Sequence, residues 1–300
     1  MKILLLAKKL QKLEAARFHG GRHHGETFRE TLGSFCDLVY HSGSLESVPR
    51  LIDEFNPDVL LFHLRGLKEC LDLSSIKIPT AYLSIDYAAS SKKSIQREDQ
   101  FLQNNCFDLI VNPCLQSIEI LRAKKLAHKV KFFPLSIDLS ICYDMKLPRN
   151  IDVAAVFAHK SHLYPNRKKV LETLMSMPVN SFLRSRQPLK RYFEIINSSK
   201  IFVNANAVIC NVTRKYHEAM VCGALLMTDR PDEFDLLGYR DGEHLVLYNT
   251  MQDMKDKIFY FLEHEKERRA ITEAGMKFAI ENFSHEACAE RFIKLIEEEL

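Results

Sequence analysis

Short apolar runs alternate with amphipathic stretches along most of the chain. The runs at 2–7, 37–40, 58–63, 80–85, 108–112 and 130–133 are rich in Leu, Ile, Val and Phe. The first of them is continuous rather than alternating, the pattern of a strand covered on both faces. Between them, 26–32, 45–55, 91–103 and 115–125 carry apolar residues at helical spacing. Strand followed by helix followed by strand requires crossover connections, and so a parallel sheet. Asn56-Pro57 stops the second helix, because a residue before proline avoids the helical region.

The pattern then restarts. Residues 134–149, bracketed by Pro134 and Pro148, are irregular and read as a linker in which Asp138 is a turn residue. Strands are expected at 151–158, 179–183, 201–205, 224–228 and 244–248. Helices are expected at 167–175, 189–197, 213–222, 231–237, 251–263 and 266–282. Ser284 is placed to cap a last helix running to Glu298. The fold class is therefore α/β, with two doubly wound (Rossmann-like) parallel-sheet domains, 1–145 and 146–283, and a C-terminal helix over 284–300. Ligands in such sheets gather at the carboxyl ends of the strands.

Composition narrows the class. Hydrophobic content of 46% with 27% charged residues is that of a soluble globular chain. A net charge of +3 is too small to call for nucleic acid. The basic group Arg184, Arg186, Lys190 and Arg191 reads as solvated surface, with an anionic membrane surface or acidic acceptor as the weaker reading. The eight cysteines are scattered without a CxxC pair, which argues against a zinc ribbon and fits a reducing cytosol. The apolar start MKILLLAKKL is cut off by Lys8 and Lys9, too short for a signal peptide. No segment reaches the ~20 apolar residues that cross a bilayer. A cytoplasmic location is expected, with peripheral membrane contact left open.

The most informative stretch is TRKYHEAMVCGALLMTD, residues 213–229. It reads as a helix turning through Gly223 directly into a buried strand. Thr213 is placed to cap the helix. Arg214 and Lys215 add positive charge to its first turn, where free N–H groups and the helix dipole already favour an anion. Val212, Tyr216, Ala219, Met220 and Gly223 share one face and should pack on the sheet, with Glu218 off that face. Spacing leaves two readings of Glu218 open. It accepts hydrogen bonds from the two hydroxyls of a ribose, or it forms a surface ion pair with Arg214 worth ~0.3–0.5 kcal/mol. His217-Glu218 begins like a zinc-protease helix, but Val221 stands where the second histidine would be needed.

Four further runs join this one: DEFDLLGYRDGEHLVLYNTMQDMKDKI, ERRAITEAGMKFAIENFSHEACAERF and, upstream, KFFPLSIDLSI and IDVAAVFAHKSHLYPNRKKVLETL. Together with NSSKIFVNAN, their order and spacing resemble the GT-B glycosyltransferases, in particular the CgeB-like (spore maturation protein) group. The resemblance covers residues 106–300 and extends to the N-terminal half in outline. It implies GT-B architecture, a nucleotide-diphosphate sugar held by the second domain, and a last helix that crosses back to the first. It also implies that Glu218 holds the ribose, and that His159, Lys160 and Arg167 contact the diphosphate, with Thr228 at the ligand edge of its strand. Read alone, Arg167, Lys168 and Lys169 are simply a solvated helix start. A second glutamate common in retaining members corresponds to Cys210, a departure from that pattern.

In the first half, Arg17-Phe18-His19-Gly20-Gly21-Arg22-His23-His24-Gly25 follows the first strand. It is not a GxGxxG fingerprint, so no nicotinamide cofactor is indicated. The glycines interrupt any helical pairing of the histidines, so no metal is expected. His19 is a candidate general base on an acceptor hydroxyl. Asp86, closing the fourth strand, is either a second candidate base or the cap of the next helix. The expected function is metal-independent transfer of a sugar (hexosyltransferase-like) from a nucleotide-sugar donor to an unidentified saccharide, lipid or protein acceptor, with no cofactor and no nucleic-acid partner. The rivals are a sugar-nucleotide epimerase or hydrolase on the same fold, and a non-catalytic nucleotide-sugar-binding or assembly protein.

Overall fold

The computed structural model describes residues 1–7, 24–42, 45–63, 76–85, 87–88, 92–158, 164–185 and 187–300. The chain divides into two compact units. One contains the N-terminal strand, Phe28–Pro134 and Cys288–Leu300; the other contains Leu135–Ala287 and residues 24–27, the first turn of a helix that continues into the first unit.

In the first unit the elements are β1 (Lys2–Ala7), α1 (His24–Leu32), β2 (Asp37–His41), α2 (Val48–Phe55), β3 (Val59–His63), β4 (Thr80–Leu83), α3 (Lys92–Asn105), β5 (Phe107–Asn112), α4 (Leu115–Ala123) and β6 (Ala127–Phe132). The described strands form a six-stranded parallel sheet in the order β2-β1-β3-β4-β5-β6. Ile3 to Ala7 are all buried, which explains why their run carries no polar alternation. The helix expected over 45–55 is split. A 3-10 turn at Leu45–Ser47 precedes α2, whose first turn contains Pro49, where a missing N–H costs nothing. Asn56 ends α2 in the left-handed region (φ 48°), its N–H donating to Ile52 O at 2.8 Å. A polar cluster ties α3 to α4 and the loop after β4. Lys124 Nζ donates to Asp99 at 2.6 Å and to Tyr87 OH at 2.9 Å, and Tyr87 OH donates to Asp99.

The second unit contains β7 (Ile151–Val156), α5 (Pro165–Met175), β8 (Ser181–Arg184), α6 (Leu189–Asn197), β9 (Ser199–Val203), α7 (Arg214–Val221), β10 (Leu225–Thr228), β11 (Val246–Leu247), α8 (Met251–Glu263) and α9 (Glu265–Phe283), and α10 (His285–Glu299) follows. Its described strands form a five-stranded parallel sheet, β11-β10-β9-β7-β8. Successive residues alternate between two cores. Val153, Ile201, Val203, Leu225 and Met227 pack on one face, and Ala154, Phe202 and Leu226 on the other.

Two expectations change here. Residues 231–237 form hydrogen-bonded turns instead of a helix, closed by Gly238 at φ +75°. The Glu233 carboxylate is drawn fully inside, where it accepts the Val212 N–H at 2.9 Å. The strand at 244–248 shrinks to Val246–Leu247. Ser284 does cap α10, accepting the Ala287 N–H at 3.3 Å. Asp138 is a turn residue, its Oδ1 accepting the Ser140 N–H at 2.8 Å.

Two glycines fix the packing of α7 and α9. Gly223 turns α7 into β10 at φ +73°, and a Cβ there would lie 2.4 Å from Arg149 Nη2. That guanidinium is committed to Ser199 O at 2.7 Å and Cys222 O at 2.9 Å, which joins the end of α7 to the start of β9. Gly275, inside α9, meets His244 so closely that a Cβ would sit 2.2 Å from its carbonyl oxygen. Neither backbone can yield cheaply, so Gly275→Ala should destabilise the protein by about 1–3 kcal/mol. Calorimetry of the variant beside wild type measures this.

Candidate functional site

The strand order of the second unit reverses at β7, which has β8 on one side and β9 on the other. The crevice outside the carboxyl ends at such a reversal is where doubly wound sheets bind ligands. Two cations meet there. Lys215, in the first turn of α7, donates from Nζ to Val156 O, the last carbonyl of β7, at 2.6 Å. Arg167, in the first turn of α5, donates from Nε to Ala205 O at 2.7 Å and from Nη1 to Ala158 O at 3.1 Å. The guanidinium also lies over the rings of Tyr164 (4.3 Å) and Phe157 (5.4 Å). Arg167 is only 8% exposed, so it is no solvated helix start, unlike its exposed neighbours Lys168 and Lys169. Its side chain ties the chain leaving β7 to the chain leaving β9.

Burial has an electrostatic consequence. Desolvation, then the nearby Arg167 charge, lower the Lys215 pKa to about 8, with Glu218 opposing them. Desolvation also lowers Arg167, while the Asp229 charge works the other way. At neutral pH both remain cationic.

Thr213 precedes α7 in extended conformation (φ −103°, ψ 165°), but its hydroxyl makes no capping bond, contrary to expectation. The first-turn amides of α7 are therefore not satisfied by that side chain. Arg214 donates from Nε to Ser136 O at 3.1 Å, in the segment between the two sheets. Glu218 is not off the packed face: it is 7% exposed, and every residue from Tyr216 to Val221 is buried. The helix is enclosed because it packs on α9 and β10 while α6 reaches it through Tyr192. Tyr192 OH donates to Glu218 Oε2 at 2.8 Å. Burial, and after it this carboxylate, push the neighbouring Cys222 thiol well up.

Below the crevice lies a buried polar network. Tyr216 OH donates to Asn206 Oδ1 at 2.7 Å and lies 2.9 Å from Thr228 Oγ1. Asn206 N donates to Asp229 Oδ1 at 2.8 Å, and Tyr248 OH donates to Asn204 O at 2.9 Å. Thr228 ends β10 as expected, yet it is fully buried, and its hydroxyl serves this network. Asn204 Oδ1 is buried without a hydrogen-bond partner, the kind of acceptor that water or ligand completes.

Cys210 is half-buried. Its thiol is pushed up first by burial and then by the charges of Asp232, Asp229 and Glu233. A thiol held protonated is neither nucleophile nor base at neutral pH. His217 belongs to the core, with Nε2 2.6 Å from Tyr239 OH and its ring stacked on Phe283. Among the described residues no cluster of His, Cys, Asp and Glu is arranged for a metal ion, and no helix is long and apolar enough to cross a membrane. His19, Asp86, His159 and Lys160 lie outside the described residues. Sequence reasoning noticed the charge of Lys215 but not its strand-end contact, and it missed Tyr192, Asn206 and Asp229. Tyr192 sits in the apolar stripe of LKRYFEIIN, where a tyrosine reads as core.

Residues 162–294 match the model of a glycosyl transferase-like family. No curated protein matches the sequence. Among solved structures, the chain is similar to sucrose-phosphate synthase from Thermosynechococcus elongatus (9% identity, 99% of each chain covered, TM-score 0.63). It is similar to Anabaena HepE in complex with UDP-glucose (12% identity, 100% of each chain, TM-score 0.64). It is also similar to an α-glucosyltransferase in complex with UDP-glucose and DNA containing an abasic site (10% identity, 98% of each chain, TM-score 0.61). The two parallel-sheet units have the fold of the GT-B glycosyltransferases.

The lowered pKa of Lys215 has a measurable sign. The unfolded chain holds this proton up to the ordinary lysine range, and the folded chain releases it near pH 8. From this group, then, the folded state gains stability as pH rises from about 8 towards that range. Competitive labelling of lysines with an amine-directed reagent should find a midpoint near 8 that disappears in Lys215→Met.

Proposed function

We propose that this protein is a glycosyltransferase that takes a sugar from a nucleoside-diphosphate donor held at the carboxyl edge of the second unit's sheet. The observation that carries this reading is the placement of Arg167 and Lys215 at the β7/β9 reversal, with the buried Glu218 carboxylate one turn along α7. An anion at that edge meets the start of α7 and two side-chain cations. Glu218 accepts from the ribose hydroxyls. The family match over 162–294 includes this whole constellation. Within that family the order of the motifs supports the CgeB-like group.

In the reaction, the bond between the anomeric carbon and the diphosphate oxygen breaks as the acceptor oxygen bonds to that carbon. The departing diphosphate gathers negative charge. Lys215, Arg214 and the α7 N-terminus stabilise it, with Arg167 shaping the crevice, and no metal ion is required. His159 and Lys160, which follow β7 in the sequence, are assigned to the same diphosphate. The acceptor proton goes to Asp86 or His19, the bases that the sequence offers. The protonated thiol of Cys210 leaves no carboxylate at the position of the second glutamate, so the sugar must be oriented by other groups.

A thermal-shift screen of UDP-, GDP-, ADP- and TDP-linked sugars tests the donor. At a hundredfold excess over Kd, a ligand that binds only the native state adds about 2.7 kcal/mol. At least one donor should raise the midpoint, and Glu218→Ala should abolish most of that rise and the turnover with it. No shift with any donor at millimolar concentration overturns the reading. Because the diphosphate restores the Lys215 proton, donor binding above pH 8 should take up protons, which calorimetry in buffers of different ionisation enthalpy detects.

A further inference from the structure

We propose that Tyr192 is a positioning residue for the donor, orienting the Glu218 carboxylate towards the ribose diol through the hydrogen bond from its hydroxyl to Oε2. The inference rests on the reading of Glu218 given above and adds a residue on a different helix.

A glutamate has three rotatable side-chain bonds, and a carboxylate that must receive two adjacent hydroxyls has to present one plane. The 2.8 Å bond from Tyr192 OH to Oε2 fixes one oxygen, and with it that plane. Tyr192 itself cannot swing. It is 8% exposed, with its ring against Phe193 (5.2 Å between centroids) and edge-on to Phe202 of β9 (6.4 Å). Helix α6 is anchored as well. Asn197, its last residue, accepts the Met145 N–H at 2.6 Å and donates to Tyr143 O at 3.1 Å. The tyrosine is therefore a rigid post. Burial first, and the Glu218 charge after it, raise its pKa well above the ordinary value. The hydroxyl therefore keeps its proton, and its role as donor, at neutral pH. The 2.8 Å bond joins a hydroxyl donor to a carboxylate oxygen in a buried environment, where a hydrogen bond is stronger than in water.

A purely structural tyrosine would affect all nucleotides alike. A positioning tyrosine affects those with a complete ribose diol. The test compares UDP with 2′-deoxy-UDP, and GDP with 2′-deoxy-GDP, by calorimetric titration of wild type, Tyr192→Phe and Glu218→Ala. Tyr192→Phe keeps the ring, and its melting profile establishes that it folds. Wild type should prefer the ribonucleotide. Tyr192→Phe should lose roughly tenfold in ribonucleotide affinity and little in that of the deoxy analogue, the loss expected from one hydrogen bond to a charged group. Glu218→Ala should bind both forms equally. If Tyr192→Phe keeps the wild-type preference while Glu218→Ala loses it, the inference about Tyr192 is overturned and the reading of Glu218 stands. If Glu218→Ala keeps the preference, or wild type binds neither pair, the reading of Glu218 falls and the inference goes with it.

Discussion

The buried guanidinium of Arg167 is the interaction on which the second unit's ligand edge depends. Removing a cation from water is costly, and here the cost is met by two main-chain carbonyls, those of Ala158 and Ala205, and by the rings of Tyr164 and Phe157. Those carbonyls belong to chain segments leaving adjacent strands on the two sides of the topological reversal. A single side chain thus sets the spacing of the crevice that the fold provides. Lys215 repeats the device from α7, closing on the last carbonyl of β7. Arg167 is already withdrawn from water and Lys215 is half-buried, so an anion arriving at the edge has less water to strip from them.

Buried charge of this kind has to be balanced locally. Glu218 supplies a negative group near Lys215, and Asp229 supplies one near Arg167. The hydroxyls of Tyr192, Tyr216, Tyr248 and Thr228 carry hydrogen bonds between α6, α7, β9 and β10 in place of further charges. Such a network is rigid only when its members are satisfied. Asn204 Oδ1, left without a partner, marks the place where the network still has an acceptor to offer. Gly223 makes the arrangement possible by letting α7 turn at once into β10, which brings the helix and the strand end to the same edge.

Much of this was readable along the chain. Continuous apolar runs such as those at β1 and β9 identify strands covered on both faces, since a half-exposed strand would alternate. Glycine after a helix and before an apolar run identified the α7–β10 corner, because the left-handed conformation there suits few other residues. Spacing from Arg214 singles out the Glu218 side chain, but not its enclosed environment. Helical periodicity counts one sheet-facing stripe, and α7 has neighbours on other sides as well. The turns at 232–238 have a related origin: the segment has helical composition, and its Glu233 is drawn inside to accept an amide 21 residues away, a contact that local periodicity does not contain.

The sequence by itself determined the alternation of strands and helices, the parallel sheets, the corner at Gly223 and the cluster of charge around residue 214. Those features follow from local periodicity and backbone preference, which neighbours in the chain settle among themselves. Only the tertiary structure decided that Arg167 is a buried clamp rather than a wet helix start, that Thr228 faces inward, and that Tyr192 meets Glu218 across 26 residues. Burial and hydrogen-bond partnership depend on which elements come to lie side by side, and no window of sequence contains that information.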